Sequence, residues 1–381
     1  MRLVFLVGVA TATFASQAVW VTFAPVASLV AEELGVTVEA VGLLALLYPI
    51  FFLILTLPSG MLLDMNMRLW VTAGAVFTGL AGALRLLEPT SYQWLFFCQL
   101  LGAIGQPFLL NSFPAVASTL YPERRETVVS ILSFSMYLGI IYALGTGYKI
   151  YNSYDILGLI APVALISTLG ALMTLAGALR LVNPSKGGVV SYQMAGAIRY
   201  VVRQRDLLLL GVLLGLGVAL FDNMSIWLEA ALSPAGLGDV AGVSVALALL
   251  AGLIGVIVIP GLVVRRARRT MYIRSIVVIV TLIYVILAFA PSRTSLLVLI
   301  PLAGFLMLPA YPVIMEWVSR FHEARVQGSA AGFIGLVSRV FTVVLASLAA
   351  AFIGGPTQYF LFLAALSTAA IIVALLLPGD R

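Results

Sequence analysis

NPSKGGVVSYQMAGAIRYVVRQRD, residues 183–206, is the longest polar interval in a chain of 381 residues, and what flanks it decides the fold. Its start, NPSKGG, is rich in turn formers. The remainder places Met194, Ile198 and Val201 or Val202 on one helical face, with Arg199, Arg203 and Arg205 elsewhere. That pattern suits an amphipathic helix lying along a membrane surface. Cutting the rest of the chain at charges, prolines and glycines leaves six apolar segments on each side. They run roughly over 3–31, 38–63, 69–87, 92–120, 125–149 and 155–182, then 206–232, 240–264, 270–290, 294–319, 326–352 and 357–378. Each meets the roughly 20 residues that a helix needs to cross a bilayer core, and none shows the alternation of a barrel strand. The expected architecture is an all-α membrane protein of twelve transmembrane helices in two pseudo-symmetric six-helix bundles. Residues 1–182 form the first bundle and 206–381 the second, joined by a cytoplasmic linker over 183–205.

Composition agrees with that reading. Hydrophobic residues make up 62% of the chain and charged ones 9%, where soluble domains are about a quarter charged. The apolar run from Leu3 to Val30 is too long for a signal-peptide core and reads as the first span. With the N-terminus inside, all but Arg85, Lys149, Arg293 and Arg339 of the 21 Lys and Arg residues fall on the inner side. Both termini are therefore expected in the cytoplasm, in a multi-pass protein of the cell membrane. The net charge of +6 is then a topology signal, and no nucleic-acid partner is expected. A single cysteine, Cys98, excludes an internal disulfide and any multi-cysteine metal site.

The two halves echo each other. Span two ends in PSGMLLDMNMRLW (58–70) and span eight in IPGLVVRRARRTMY (259–272); YPERRETVVSILSF (121–134) enters span five as FHEARVQGSAAGFIG (321–335) enters span eleven. At these positions the chain resembles the major facilitator superfamily along its whole length. The resemblance matches Gly60 and Asp64 to that family's glycine and aspartate, and Arg68 to one of its basic positions; the second basic position is Met65 here. It implies a gate in which Asp64 pairs with cations such as Arg124 or Arg125 when the site faces outward. A carboxylate that merely caps a loop is the alternative. Two antiporter motifs are missing: QLLGAIGQP (99–107) has Gln99 where an arginine is expected, and LGIIYALGTG (138–147) has no proline. Proton-driven drug antiport is disfavoured.

A closer resemblance lies in AIGQPFLLNSFPAVASTLYPERRETVV (103–129), GALRLL (82–87) and SQAVWVTFAPV (16–26). These stretches are similar to the haem and choline transporters related to the feline leukaemia virus subgroup C receptor. That resemblance implies a substrate-facing role for Trp20 and an aromatic-cage position near Phe221. In span eleven the family tends to carry glutamine where this chain has Arg339.

Arg339 sits in AGFIGLVSRVFTVVLASLAAAF (331–352), with no other charge from Val326 to Thr357. A guanidinium at bilayer depth costs about 2.5–3.5 kcal/mol on insertion scales unless it faces a partner or a wet cavity. At a rise of roughly 1.5 Å per residue, Arg339, Asp222 and Tyr137 lie about 20, 24 and 18 Å from the cytoplasmic ends of their spans. Trp20 and Gln106 come out at about 26 and 21 Å on the same count. These depths converge near the midplane. In the fold implied by the resemblance, spans one, four, seven and ten line the cavity. Asp222 is the natural partner for Arg339, as a switchable bridge opened by substrate or as a static tie between spans seven and eleven. Glu229 is a weaker candidate near the outer end, and Glu316 reads as a gate or loop partner. Trp20 and Tyr137 stand out among aromatics that otherwise serve packing. Pro49, Pro107, Pro309 and Pro312 are expected to bend spans two, four and ten.

Enzyme chemistry is not expected. The sole histidine, His322, reads as a loop residue, and there is no H-E-x-x-H and no GxxxxGK[ST]. No cofactor is expected, since no histidine sits in a span to ligate haem. The sequence therefore predicts a secondary transporter, monomeric, moving a small polar or charged organic solute by alternating access, with uniport favoured. Trp20, Gln106, Asn111 and Tyr137 would form the N-half wall, and Phe221, Asp222 and Arg339 the C-half. The alternatives are proton- or sodium-coupled symport of an anionic or zwitterionic solute, and a non-transporting receptor or lipid scramblase.

Overall fold

The computed structural model describes residues 2–181, 203–321 and 324–379, with the side chains of 324–331 left aside. Residues 183–202 of the expected linker, and His322, lie outside the described residues. Two compact units divide between Val189 and Val190. The first contains α1 (Arg2–Trp20), a 3-10 turn at Ala24–Val26, α2 (Ala27–Leu34), α3 (Val38–Leu84), α4 (Tyr92–Leu110), α5 (Phe113–Leu120) and α6 (Arg125–Leu179). The second contains α7 (Arg205–Leu232), α8 (Ala241–Arg265), α9 (Arg269–Phe289), α10 (Arg293–Met307), α11 (Ala310–Phe321), α12 (Ala324–Ala349) and α13 (Pro356–Leu375).

Among the described residues, ten helices are long and apolar enough to cross a membrane. Two of them, of 47 and 58 residues, exceed twice the required length and are broken internally. α3 breaks at Asn66 (φ −156°, ψ 84°). The Asn66 side-chain oxygen accepts from the Leu69 amide at 3.1 Å and so caps the helix that follows. α6 breaks at Tyr154 and Asp155, the latter at φ 55° and ψ −165°, next to a backbone region that is essentially glycine's. Reading each broken helix as two passes brings the ten to twelve.

Three further spans are interrupted by proline, at positions that only partly follow expectation. Pro49 and Pro107 lie inside α3 and α4 without interrupting them. Span one breaks before Pro25 and span four before Pro114, because a proline has no N–H to give the carbonyl four residues back. Span ten breaks at Leu308–Pro309, between α10 and α11.

In the first unit α1 packs on α6, and α3 packs on α4 and α6; in the second, α7 packs on α12 and α8 on α10. Small residues let these backbones approach, as membrane helices without a hydrophobic driving force require. A Cβ at Gly170 would lie 2.6 Å from the Ala12 nitrogen, and one at Gly177 2.7 Å from Phe5 Cα. At the start of α9, Arg269 forms a two-point ion pair with Glu316 of α11, its Nη2 at 2.8 Å from Oε1. Arg274 donates to the carbonyls of Ala374 and Leu377 at the end of α13, at 3.1 and 2.9 Å. The guanidinium there offsets the negative helix end.

Overpacking a tight helix contact costs about 1–3 kcal/mol. Gly177→Val and Gly170→Val should therefore lower the unfolding temperature of the detergent-purified protein. Gly261→Ala, where a Cβ meets nothing within 4 Å, should leave it unchanged. Equal behaviour of all three would contradict this packing.

Candidate functional site

The two charges of spans seven and eleven come together. Arg339 Nη1 lies 3.6 Å from Asp222 Oδ2, and the same oxygen accepts from Thr342 Oγ1 at 3.0 Å. Thr342 follows Arg339 by three residues, so both project from one face of α12 toward α7. A buried carboxylate is tolerable only when paired and hydrogen-bonded, and both conditions hold here. The Asp222 side chain is 5% exposed and that of Arg339 30%. The pair is thus asymmetric, a buried anion against a cation that still reaches solvent-accessible space. Trp227, one turn along α7, locks the same helix pair by donating from Nε1 to Ala346 O at 2.9 Å. Phe221, beside Asp222, is half-buried.

In the first unit the expected wall residues are partly committed to the protein itself. Trp20 closes α1, is 7% exposed, and gives its indole N–H to Ala45 O of α3 at 3.0 Å. Only its ring is left to meet a ligand. Asn111 stands at the break of span four and donates to Thr56 O and Ser59 Oγ of α3, at 3.2 and 2.9 Å. It ties the broken span to α3 just before Gly60. Gln106 is buried within α4, and Tyr137 is half-buried on α6.

Of the gate residues, Asp64, Arg124 and Arg125 are exposed, and among the described residues no ion pair joins Asp64 to either arginine. Arg68 instead donates to Leu181 O at 2.5 Å. A Cβ on Gly60 would meet nothing within 4 Å.

Two groups escape sequence reasoning. Thr342 is an ordinary-looking threonine in an apolar span, legible only from its spacing to Arg339. Arg85, grouped by position with the outer-side charges, is fully buried. It donates from Nη1 to Thr22 Oγ1 at 3.1 Å and from Nη2 to Val19 O at 3.0 Å and to Gln99 Oε1, with its guanidinium 5.4 Å from the Phe23 ring centroid. No local pattern distinguishes it from a solvated charge at a span end.

The sequence pattern described as Major Facilitator Superfamily matches residues 9–344. Solute carrier family 49 member A3 of Danio rerio is 25% identical over 322 residues, covering 78% of this chain and 67% of that protein. Its counterpart in Xenopus tropicalis is 26% identical over 269 residues, 66% of this chain and 56% of that one. These relatives agree with the resemblance to transporters related to the feline leukaemia virus receptor. Among solved structures, a bacterial homologue of the human lysosomal transporter Spinster, inward-facing and unoccupied, superposes with a TM-score of 0.72 at 14% identity, over 99% of this chain and 95% of that one. A mutant of the nucleoside transporter NupG gives 0.73 at 14% identity, over 97% and 98%. At that identity the likeness is one of fold.

Removing one partner of a buried ion pair costs about 3–5 kcal/mol, because the other charge is left uncompensated. With Arg339 partly exposed, Arg339→Ala should fall at the low end of that range by denaturant unfolding. Asp222→Asn combined with Arg339→Gln should recover most of the loss. A double variant as unstable as Arg339→Ala would show that the two charges do not support each other.

Proposed function

The chain belongs to the major facilitator superfamily, and from that premise we propose that it is a secondary transporter moving a small polar or charged organic solute by alternating access. The observation that carries this reading is the Asp222–Arg339 pair, an ion pair within apolar spans whose cationic member remains partly accessible. A static tie would be better buried on both sides, and the partial exposure of Arg339 supports its being the member for which a ligand competes. Phe221 and Thr342 are proposed to bind beside the pair in the second unit, and the ring of Trp20, with Gln106, Asn111 and Tyr137, is proposed for substrate contact in the first. Asp64, Arg68, Arg124, Arg125 and Gly60 are proposed as cytoplasmic gate elements, and the Arg269–Glu316 pair as their counterpart in the second unit. The basic-residue bias supports cytoplasmic termini and residence in the cell membrane.

Uniport is the simpler mode, since among the described residues Asp222 contacts no titratable group but Arg339. One observation favours a second reading. Asp222 is a buried carboxylate on the cation's doorstep, so taking up a proton or sodium ion there would release Arg339 to an anionic or zwitterionic solute. This would be coupled symport.

A thermal-shift panel of choline, ethanolamine, amino acids and carboxylates identifies ligands by mass action, and those that stabilise the protein are then tested for uptake in proteoliposomes. Asp222→Asn and Arg339→Ala, in protein that remains folded, should lower uptake at least about tenfold, the effect of losing roughly 1.4 kcal/mol. Stimulation by an inward proton or sodium gradient would select symport, and indifference to both uniport. Uptake at the unmodified rate in both folded variants would remove the site.

A further inference from the structure

Arg85 and Arg269 are both buried guanidiniums, and the contrast between them is informative. In the second unit the Nε–Nη2 edge of Arg269 grips the two oxygens of Glu316. In the first unit the corresponding edge of Arg85 meets the amide of Gln99, which accepts on one side only. Gln99 Oε1 takes Arg85 Nη2 and also the Tyr48 hydroxyl at 3.2 Å. Arg85 Nε and Gln99 Nε2 are left as buried donors without an acceptor. Three N–H groups, one on Arg85 Nε and two on Gln99 Nε2, and a full positive charge thus lie buried together. Every partner of that charge is neutral: Thr22, the Val19 carbonyl, Gln99 and the Phe23 ring. The Val19 carbonyl belongs to the end of α1, whose dipole offsets part of the charge. That accounts for the cation's tolerance but satisfies neither orphan donor, and an unmade hydrogen bond at a buried charged group is expensive.

We propose that this node binds a small monovalent anion, chloride in the first instance, held between Arg85 Nε and Gln99 Nε2. The unpartnered donors and the charge beside them call for an acceptor that is itself negative. Oxyanions would bring further oxygens to a locus with two donors left. The anion would join the end of α1 (Val19, Thr22), both halves of α3 (Tyr48, Arg85) and α4 (Gln99), acting as a structural ligand of the first unit, independent of the proposed transport site.

The test measures the unfolding temperature of the purified full chain in sodium gluconate, then on titration with sodium chloride or bromide at constant ionic strength. A saturable rise with both halides is expected, together with stoichiometric retention of radiolabelled chloride in equilibrium dialysis. Gln99→Glu supplies the missing acceptor and counter-charge covalently, so this variant should be as stable in gluconate as the parent is in chloride, and lose the halide response. Arg85→Gln should also lose it, and serves where Gln99→Glu does not fold. No halide response and no chloride retention by the parent chain would mean that the donors hold water alone, which overturns the proposal. A response undiminished in either variant would place the ion elsewhere and overturn it equally.

Discussion

A guanidinium withdrawn from water must find its compensation among the helices that surround it, and three arginines in this protein do so in three ways. Arg269 has a carboxylate that matches both prongs of its fork. Arg339 has a carboxylate at 3.6 Å, shared with a threonine hydroxyl. Arg85 has a helix end, a hydroxyl, an aromatic ring and half of an amide. The ordering runs from the most satisfied charge to the least. It also separates roles, because a saturated pair resists disturbance while a partly satisfied one can exchange its partner for a ligand.

Breaks in the spans are what supply the partners of Arg85 and Asn111. Where α1 ends at Trp20, its last carbonyls are released from the helical ladder, and Thr22 and Arg85 take up those of Ala18 and Val19. Where α4 ends at Leu110, Asn111 bridges to Thr56 and Ser59 of α3. An uninterrupted helix offers a neighbour only side chains, whereas a break adds backbone acceptors that polar groups can reach in an apolar environment. Close packing at Gly170 and Gly177 holds α1 near enough to α6 for that geometry to be kept.

Residues differ in how far their roles can be foreseen. Asp222 and Arg339 were legible because an isolated charge in an apolar run is costly, which forces a search for its opposite. Asn111 and Trp20 were visible as polar or aromatic residues at depth, yet their N–H groups turn out to be engaged by α3. Arg85 was misleading: its position at a span end suits a solvated topology charge, and nothing beside it in the chain announces that it folds back onto Gln99.

By itself the sequence determined where the membrane helices lie, the family to which they belong and the presence of a lone charge in span eleven. Hydropathy over about 20 residues and the turn chemistry of proline and glycine are local properties, written contiguously in the chain. Only the tertiary structure decided which donors are used and which remain, since that depends on atoms from separate spans meeting within hydrogen-bond distance. Residues 19, 48, 85 and 99 converge on one buried charge, and no pattern along the chain encodes that convergence.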